Sequence, residues 1–186
     1  MSWPRGLRLA SVTGTWWRVD RDPPAGWDWA PFPQPRQRFD SAAGAFRTRY
    51  AARSARGALR EAFDGSGRVL ADADLDRRLV RLHGTARVLD LRRESVLDAF
   101  GVDDRISTAR DPGTWRRCHE LIDRVAQHYG ERCDGLLYRS RTTPQTSANL
   151  AFLAHAPLRR RDLGPLRDQR ALLDAAIIGD GFAVLT

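Results

Sequence analysis

The amino-acid sequence predicts a single α+β domain, on three observations. Short runs of β-branched and aromatic residues are mixed with segments of helical period, without the strict strand-helix-strand alternation that builds a parallel sheet. The stretch from Asp111 to Gly130 carries the start signal, the apolar stripe and the stop signal of a long helix. A chain of 186 residues is long enough to close one substantial core and short for two.

Residues 15–19 (Thr-Trp-Trp-Arg-Val) form the first expected strand, bulky enough for burial, with Arg18 set among apolar neighbours. Residues 22–36 hold five prolines around Trp27, Trp29 and Phe32, and proline's fixed φ and missing N–H exclude a regular element there. A loop of that length is a lid, a binding loop or a surface loop anchored by its rings. A second strand over 46–52 puts Phe46, Thr48 and Tyr50 on one face, since alternate residues share a side. Ser54 then caps a helix whose core stripe is Ala55, Ala58, Leu59, Ala62 and Phe63, with Glu61 at the stripe's edge and Gly65 as the stop.

A helix or turn is expected over 74–80 and a strand over 87–91. Asp111 caps the long helix and Pro112 opens it; Trp115, Cys118, Ile122, Val125 and Tyr129 recur at helical spacing as a core stripe, closed by Gly130. Residues 135–140 and 149–154 read as strands joined through a polar turn. The tail adds a helix over 166–178 and a last strand over 182–185.

The composition, 42% hydrophobic and 29% charged, is that of a folded chain. No apolar run approaches the roughly 20 residues that span a bilayer. The N-terminal residues show neither an unbroken apolar segment nor a cleavage site, so no signal peptide is expected and a cytoplasmic location is the default. The net charge of +8 raises the question of nucleic acid, because clustered cations release counterions from phosphate backbones. All 31 basic residues are arginine, however, and they are interleaved with acids, as in Arg92-Arg93-Glu94 and Asp103-Asp104-Arg105. That is the pattern of a solvated face with weak surface pairs, so direct nucleic-acid binding is not expected.

Cys118 and Cys133 form no CxxC pair, and the four histidines show no HExxH spacing. Neither a disulfide framework nor a metal site is expected, and two free buried thiols are the reading. GxGxxG, the P-loop pattern and GxSxG are absent, which removes the Rossmann fingerprint, the phosphate loop and the nucleophile elbow.

One ordered set of residues remains: Arg18 in the first strand, the turn Arg38-Phe39-Asp40, Tyr50-Ala51-Ala52 followed by Glu61, the segment Leu89-Asp90-Leu91, the long helix, and Gly135-Leu136-Leu137-Tyr138-Arg139-Ser140. In that order, over about 15–153, it resembles the RES domain family, named for its Arg, Glu and Ser. The sequence departs from the family at Gln37, where Gly usually precedes the Arg-Phe pair, and its Pro- and Trp-rich loop is longer than in compact members.

The resemblance implies an ADP-ribosyltransferase-like split mixed β-sheet core with flanking helices. It implies one RES-like domain over 1–186, with a core at about 15–154 and a C-terminal extension at 155–186. The implied activity is cleavage of the nicotinamide-ribose bond of NAD by an NAD phosphorylase or NAD glycohydrolase, the toxin of a bacterial toxin-antitoxin pair. NAD is then a substrate and inorganic phosphate a candidate co-substrate, with no cofactor and no metal. The implied partner is an Xre-type helix-turn-helix antitoxin; no membrane is involved, and a homodimer is left open.

Within that reading Glu61 is the catalytic carboxylate, because cleavage develops positive charge on the ribose. Arg18 and Arg38 are anion clamps, guanidinium forks standing in for the missing glycine-rich loop. Tyr50 offers a ring and a hydroxyl to the nicotinamide or ribose. Ser140 hydrogen-bonds the nicotinamide end or a phosphate and is not a nucleophile, as the reaction needs none. Each residue also has a plain structural role open to it: a buried ion pair for Arg18, a surface arginine for Arg38, a solvated helix residue for Glu61, a core tyrosine for Tyr50, a turn serine for Ser140. Two rival functions share these features, an ADP-ribosyltransferase acting on a macromolecule and a non-catalytic arginine-rich binding module.

Overall fold

The computed structural model describes residues 3–4, 6–142 and 147–185. The two longest strands set the frame. β1 (Ala10–Asp20) and β4 (Arg78–Asp90) are antiparallel along their length, from Ala10 opposite Val88 to Asp20 opposite Arg78. The other edge of β4 takes β7 (Arg159–Pro165) antiparallel near its start and β5 (Gly135–Arg139) parallel at its end. β5 pairs antiparallel with β6 (Ala148–Phe152), and β6 with β2 (Arg49–Ala52). β2 returns to β1 at one paired position, Trp17 opposite Ala52. The mixed sheet expected from the sequence is therefore present, but it does not split: β1, β2, β6, β5 and β4 close into a ring, with β7 outside it.

Closure depends on β4, whose 13 residues reach three neighbours. Sequence reasoning saw only its C-terminal end and assigned 74–80 to a helix or turn. Asp72–Asp76 is indeed a 3₁₀ turn, but the strand begins at Arg78. Arg81, His83 and Gly84 blur the apolar alternation that would have announced it.

Ser54 caps α1 (Ala55–Phe63) as expected, its Oγ accepting from Gly57 N at 3.0 Å. The helix runs into a 3₁₀ turn and ends at left-handed Gly67 rather than Gly65. α2 (Glu94–Phe100) and α3 (Arg105–Thr108) follow β4, and neither was foreseen. α4 (Pro112–Tyr129) has the expected cap, Asp111 accepting from Thr114 N at 2.9 Å. After β7 come α5 (Arg170–Asp180) and β8 (Ala183–Leu185), which pairs parallel with β3 (Val69–Ala71) in a small second sheet. The polar turn expected between β5 and β6 has its centre, 143–146, outside the described residues.

Strand alternation sorts the apolar side chains into three clusters. Trp16, Val80, Leu82, Leu137, Leu150 and Phe152 fill the ring, together with Trp27 from the proline-rich loop. Leu89, Leu136 and Tyr138 face outward against Cys118, Ile122 and Val125 of α4. Val19, Ala52, Leu79 and Leu166 meet Leu59 and Phe63 of α1 in the third. Each fully buried aliphatic or aromatic side chain contributes about 1.5–3 kcal/mol. Cys118 and Cys133 are free buried thiols, each pushed up to about 11 by burial.

Candidate active site

A cleft of about 420 Å³ lies around the lone join of β1 and β2, in the size range of small-molecule sites. Its floor comes from both strands and from Tyr138. α1 supplies one wall, and Arg38, Ser107 and Trp115 supply the other. Six arginines line it (Arg18, Arg38, Arg47, Arg49, Arg77, Arg141), and among the described residues a single carboxylate does, Glu61.

Glu61 projects from the last turns of α1. Its Oε1 accepts from Ser140 Oγ at 2.7 Å and from Thr142 Oγ1 at 2.6 Å. Thr142 N in turn donates to Ser140 Oγ at 3.3 Å. Oε2 takes no hydrogen bond among the described residues, so one carboxylate oxygen is oriented and the other is free for a ligand. The structure thus joins Glu61 and Ser140, 79 positions apart. The hydroxyl proton of buried Ser140 serves the carboxylate, where the sequence reading aimed it at a ligand. Thr142 was missed; its only signal was a hydroxyl two residues beyond Ser140.

The Arg38 turn is built by Asp40. Asp40 Oδ2 accepts from Arg36 N at 3.0 Å and Gln37 N at 2.8 Å, and Oδ1 accepts from Thr48 Oγ1 at 3.1 Å. Gln37 has a negative φ, so the turn does not require the glycine usual there. Arg38 is buried, not a surface arginine. Its Nη1 donates to Ile106 O at 3.0 Å and its Nη2 to Ala109 O at 2.7 Å, and it has no carboxylate partner among the described residues. The guanidinium also lies against Cys118 Sγ and the Trp115 ring, so none of its contacts among the described residues is with an acid, and its charge is left unpaired for an anion. Tyr50 presents its ring to the cleft, while its hydroxyl accepts from Phe39 N at 2.7 Å and meets Thr48 Oγ1 at 2.9 Å. Burial, with Asp40 nearby, raises that hydroxyl well above the ordinary tyrosine value. The hydroxyl is therefore spent on the turn and the ring is the part left for a ligand.

Arg18 spans the gap between the parted strands, its Nη1 donating to Tyr50 O at 2.9 Å. Its Nε and Arg49 Nη1 both donate to Asp20 Oδ2, each at 2.6 Å. Arg18 therefore makes the structural ion pair that was the alternative to an anion clamp, and it also lines the cleft. Two guanidiniums share one carboxylate, which leaves a net positive charge. Burial and the adjacent Arg18 bring Arg49 down to about 10. Arg49 was missed, although a charge in an apolar strand, the argument that found Arg18, applied to it equally.

The proline-rich loop has no regular element beyond a 3₁₀ turn at Pro24–Gly26. It is anchored by its tryptophans and also contributes to the cleft wall. Trp27 and Trp29 pack on Phe152, while Phe32 lines the cleft with the Arg47 guanidinium 4.1 Å from its ring. Trp115, read from its spacing as core, instead lines the cleft, its buried indole N–H without a hydrogen-bond partner among the described residues. Among the described residues no group of three or more His, Cys, Asp or Glu could hold a metal, and no helix is long and apolar enough to cross a membrane.

No curated protein matches the chain. Among solved structures, the M. tuberculosis MbcT-MbcA toxin-antitoxin complex contains a chain of similar fold, with a TM-score of 0.58 at 18% identity over 89% of this chain and 92% of that one. The RES domain pattern matches residues 15–174, from within β1 to within α5. The chain belongs to the RES domain family.

Proposed function

We propose that the protein degrades NAD by cleaving its nicotinamide-ribose bond, with Glu61 as the catalytic carboxylate. The observation that carries this reading is Glu61 itself, among the described residues the one acid of an arginine-lined cleft, with one oxygen fixed by two hydroxyls and the other taking no hydrogen bond from them. As the C–N bond breaks, its electron pair neutralises the pyridinium and nicotinamide leaves uncharged, so no proton has to be delivered. Positive charge then develops on the ribose, where a fixed carboxylate stabilises it more than it stabilises the ground state. Arg38, whose charge is not neutralised by an acid, holds the pyrophosphate together with the Arg18 and Arg49 pair, and the rings of Tyr50 and Trp115 bound the nicotinamide and ribose. Phosphate or water completes the reaction at the ribose carbon; the excess of guanidinium groups favours phosphate.

In this reading the ring of strands is a variant of the ADP-ribosyltransferase-like core. The likeness to a chain from a toxin-antitoxin complex supports a toxin paired with an antitoxin; in this reading the antitoxin is of Xre type and the toxin acts in the cytoplasm. Incubation with NAD, with and without inorganic phosphate, tests the reading by free nicotinamide and the ribosyl product. Release that depends on phosphate identifies a phosphorylase, and release without it a glycohydrolase. Label from NAD appearing on a macromolecule, or no release under either condition, overturns the proposal.

A further inference from the structure

We propose that Asp180, at the end of α5 and beyond the matched residues 15–174, is a positioning residue for Glu61, acting through Arg60 and Thr142. The inference rests on the reading of Glu61 as the catalytic acid.

Arg60 and Glu61 are neighbours on α1, and adjacent helical residues point about 100° apart, so Arg60 reaches Glu61 only by another route. Its Nη1 donates to Thr142 O at 3.3 Å, and Thr142 Oγ1 donates to Glu61 Oε1 at 2.6 Å. Thr142 stands three residues past the end of β5, where the sheet no longer holds the chain. Arg60 is therefore a second clamp on Thr142, beside the Thr142 N–Ser140 Oγ hydrogen bond, and the one that ties this hydroxyl to α5. Arg60 does not line the cleft; it acts on Glu61 from behind.

A guanidinium at the end of four rotatable bonds holds a position only when it is anchored, and the anchor is Asp180. The Asp180 side chain is fully buried and pairs with Arg60 and with Arg56, one turn earlier on α1, whose Nε donates at 2.9 Å. Arg68 Nη1 donates to the Asp180 backbone carbonyl at 2.6 Å, tying the same point to the segment after α1. Gly179 leaves the path open, since a Cβ there would lie 2.8 Å from Arg56 Nη2. Arg56 and Arg60 hold the Asp180 carboxyl down to about 2, so it stays charged at any physiological pH.

Arg56 and Arg60 make a matched pair for the test. Each pairs with Asp180 in the α1–α5 clasp, and only Arg60 touches Thr142. Arg56→Gln, Arg60→Gln and Asp180→Asn are compared with wild type in NAD cleavage, melting temperature and the backbone amide resonances of Ser140 and Thr142. Arg60→Gln and Asp180→Asn should lower kcat by about 10- to 100-fold with KM for NAD little changed, since small misplacement of a catalytic group has effects of that order. Both should shift the Thr142 amide resonance. Arg56→Gln should lower the melting temperature, yet leave kcat within about twofold and the Thr142 resonance in place. Equal loss of kcat in the two arginine variants, or no loss in either, overturns the proposal. If wild type cleaves no NAD, the functional reading fails and the resonances alone decide the positioning role: an unmoved Thr142 amide in Arg60→Gln refutes it.

Discussion

Replacing Asp20 with Asn should destabilise the protein by about 3 kcal/mol and make part of the lost stability recoverable by anions. The Asp20 carboxylate is 10% exposed, and its Oδ2 is shared by Arg18 Nε and Arg49 Nη1, both at 2.6 Å. An amide keeps the acceptor for Arg21 N but removes the only carboxylate that pairs with the two cations among the described residues. Breaking a buried pair from one side costs about 3–5 kcal/mol; Arg49 is 4% exposed but Arg18 is 19% exposed, which sets the lower end. For a chain of this length that is a fall in melting temperature of about 6–12 °C. The assay is thermal unfolding at pH 7 in a buffer without phosphate or sulfate, then with either added. An anion seated between the freed guanidiniums should raise the melting temperature of Asp20→Asn by more than that of wild type, which corrects for the general stabilisation by such salts. A fall below about 2 °C, or an equal response of both proteins to anions, would refute the reasoning.

Two further expectations concern the frame. A Cβ on Gly135, which opens β5, would lie 2.0 Å from Ala151 O and 2.9 Å from Phe152 Cα, so Gly135→Ala should cost more than about 4 kcal/mol by urea unfolding; a loss under about 1 kcal/mol would show that β5 and β6 can part. Acid should destabilise the fold through lowered carboxyls. Asp180 is held at about 2 by Arg56 and Arg60; at Asp20 and Asp90, arginine partners overcome the opposing effect of burial. The folded state therefore binds fewer protons than the unfolded one, and this stability is full above the ordinary 3.8 and lost as pH falls toward 2. Urea midpoints should be level from about pH 5 to 7 and decline below about pH 4, and a midpoint that rises on acidification would contradict the assignment.

What could be read in the sequence was local. Ser54 and Asp111 announce α1 and α4 because a cap and an apolar stripe lie within a few residues of each other. The five prolines of 22–36 exclude regular structure wherever the loop sits. β7, whose Arg159-Arg160-Arg161-Asp162 run shows no apolar alternation, is a strand only because the edge of β4 needs a partner. Ring closure rests on Trp17 meeting Ala52, which leaves no trace in either segment. The site divides in the same way. Arg18, Arg38, Tyr50, Glu61 and Ser140 stand in an ordered set that resembles a family. Thr142 and Asp180 gain meaning only through contacts across 81 and 120 positions, and alone they look like a turn threonine and an acid at the end of a helix.

The most direct test of Glu61 as the catalytic carboxylate is nicotinamide release from NAD by wild type and by Glu61→Gln, with NAD binding to both measured by calorimetry. Glutamine keeps an oxygen for Ser140 and Thr142 and removes only the charge. Loss of at least about 100-fold in kcat, with the Kd for NAD changed by less than about threefold, is the expected result, since the charge acts chiefly on the transition state. Release by Glu61→Gln within about tenfold of wild type, or none by wild type, would contradict it.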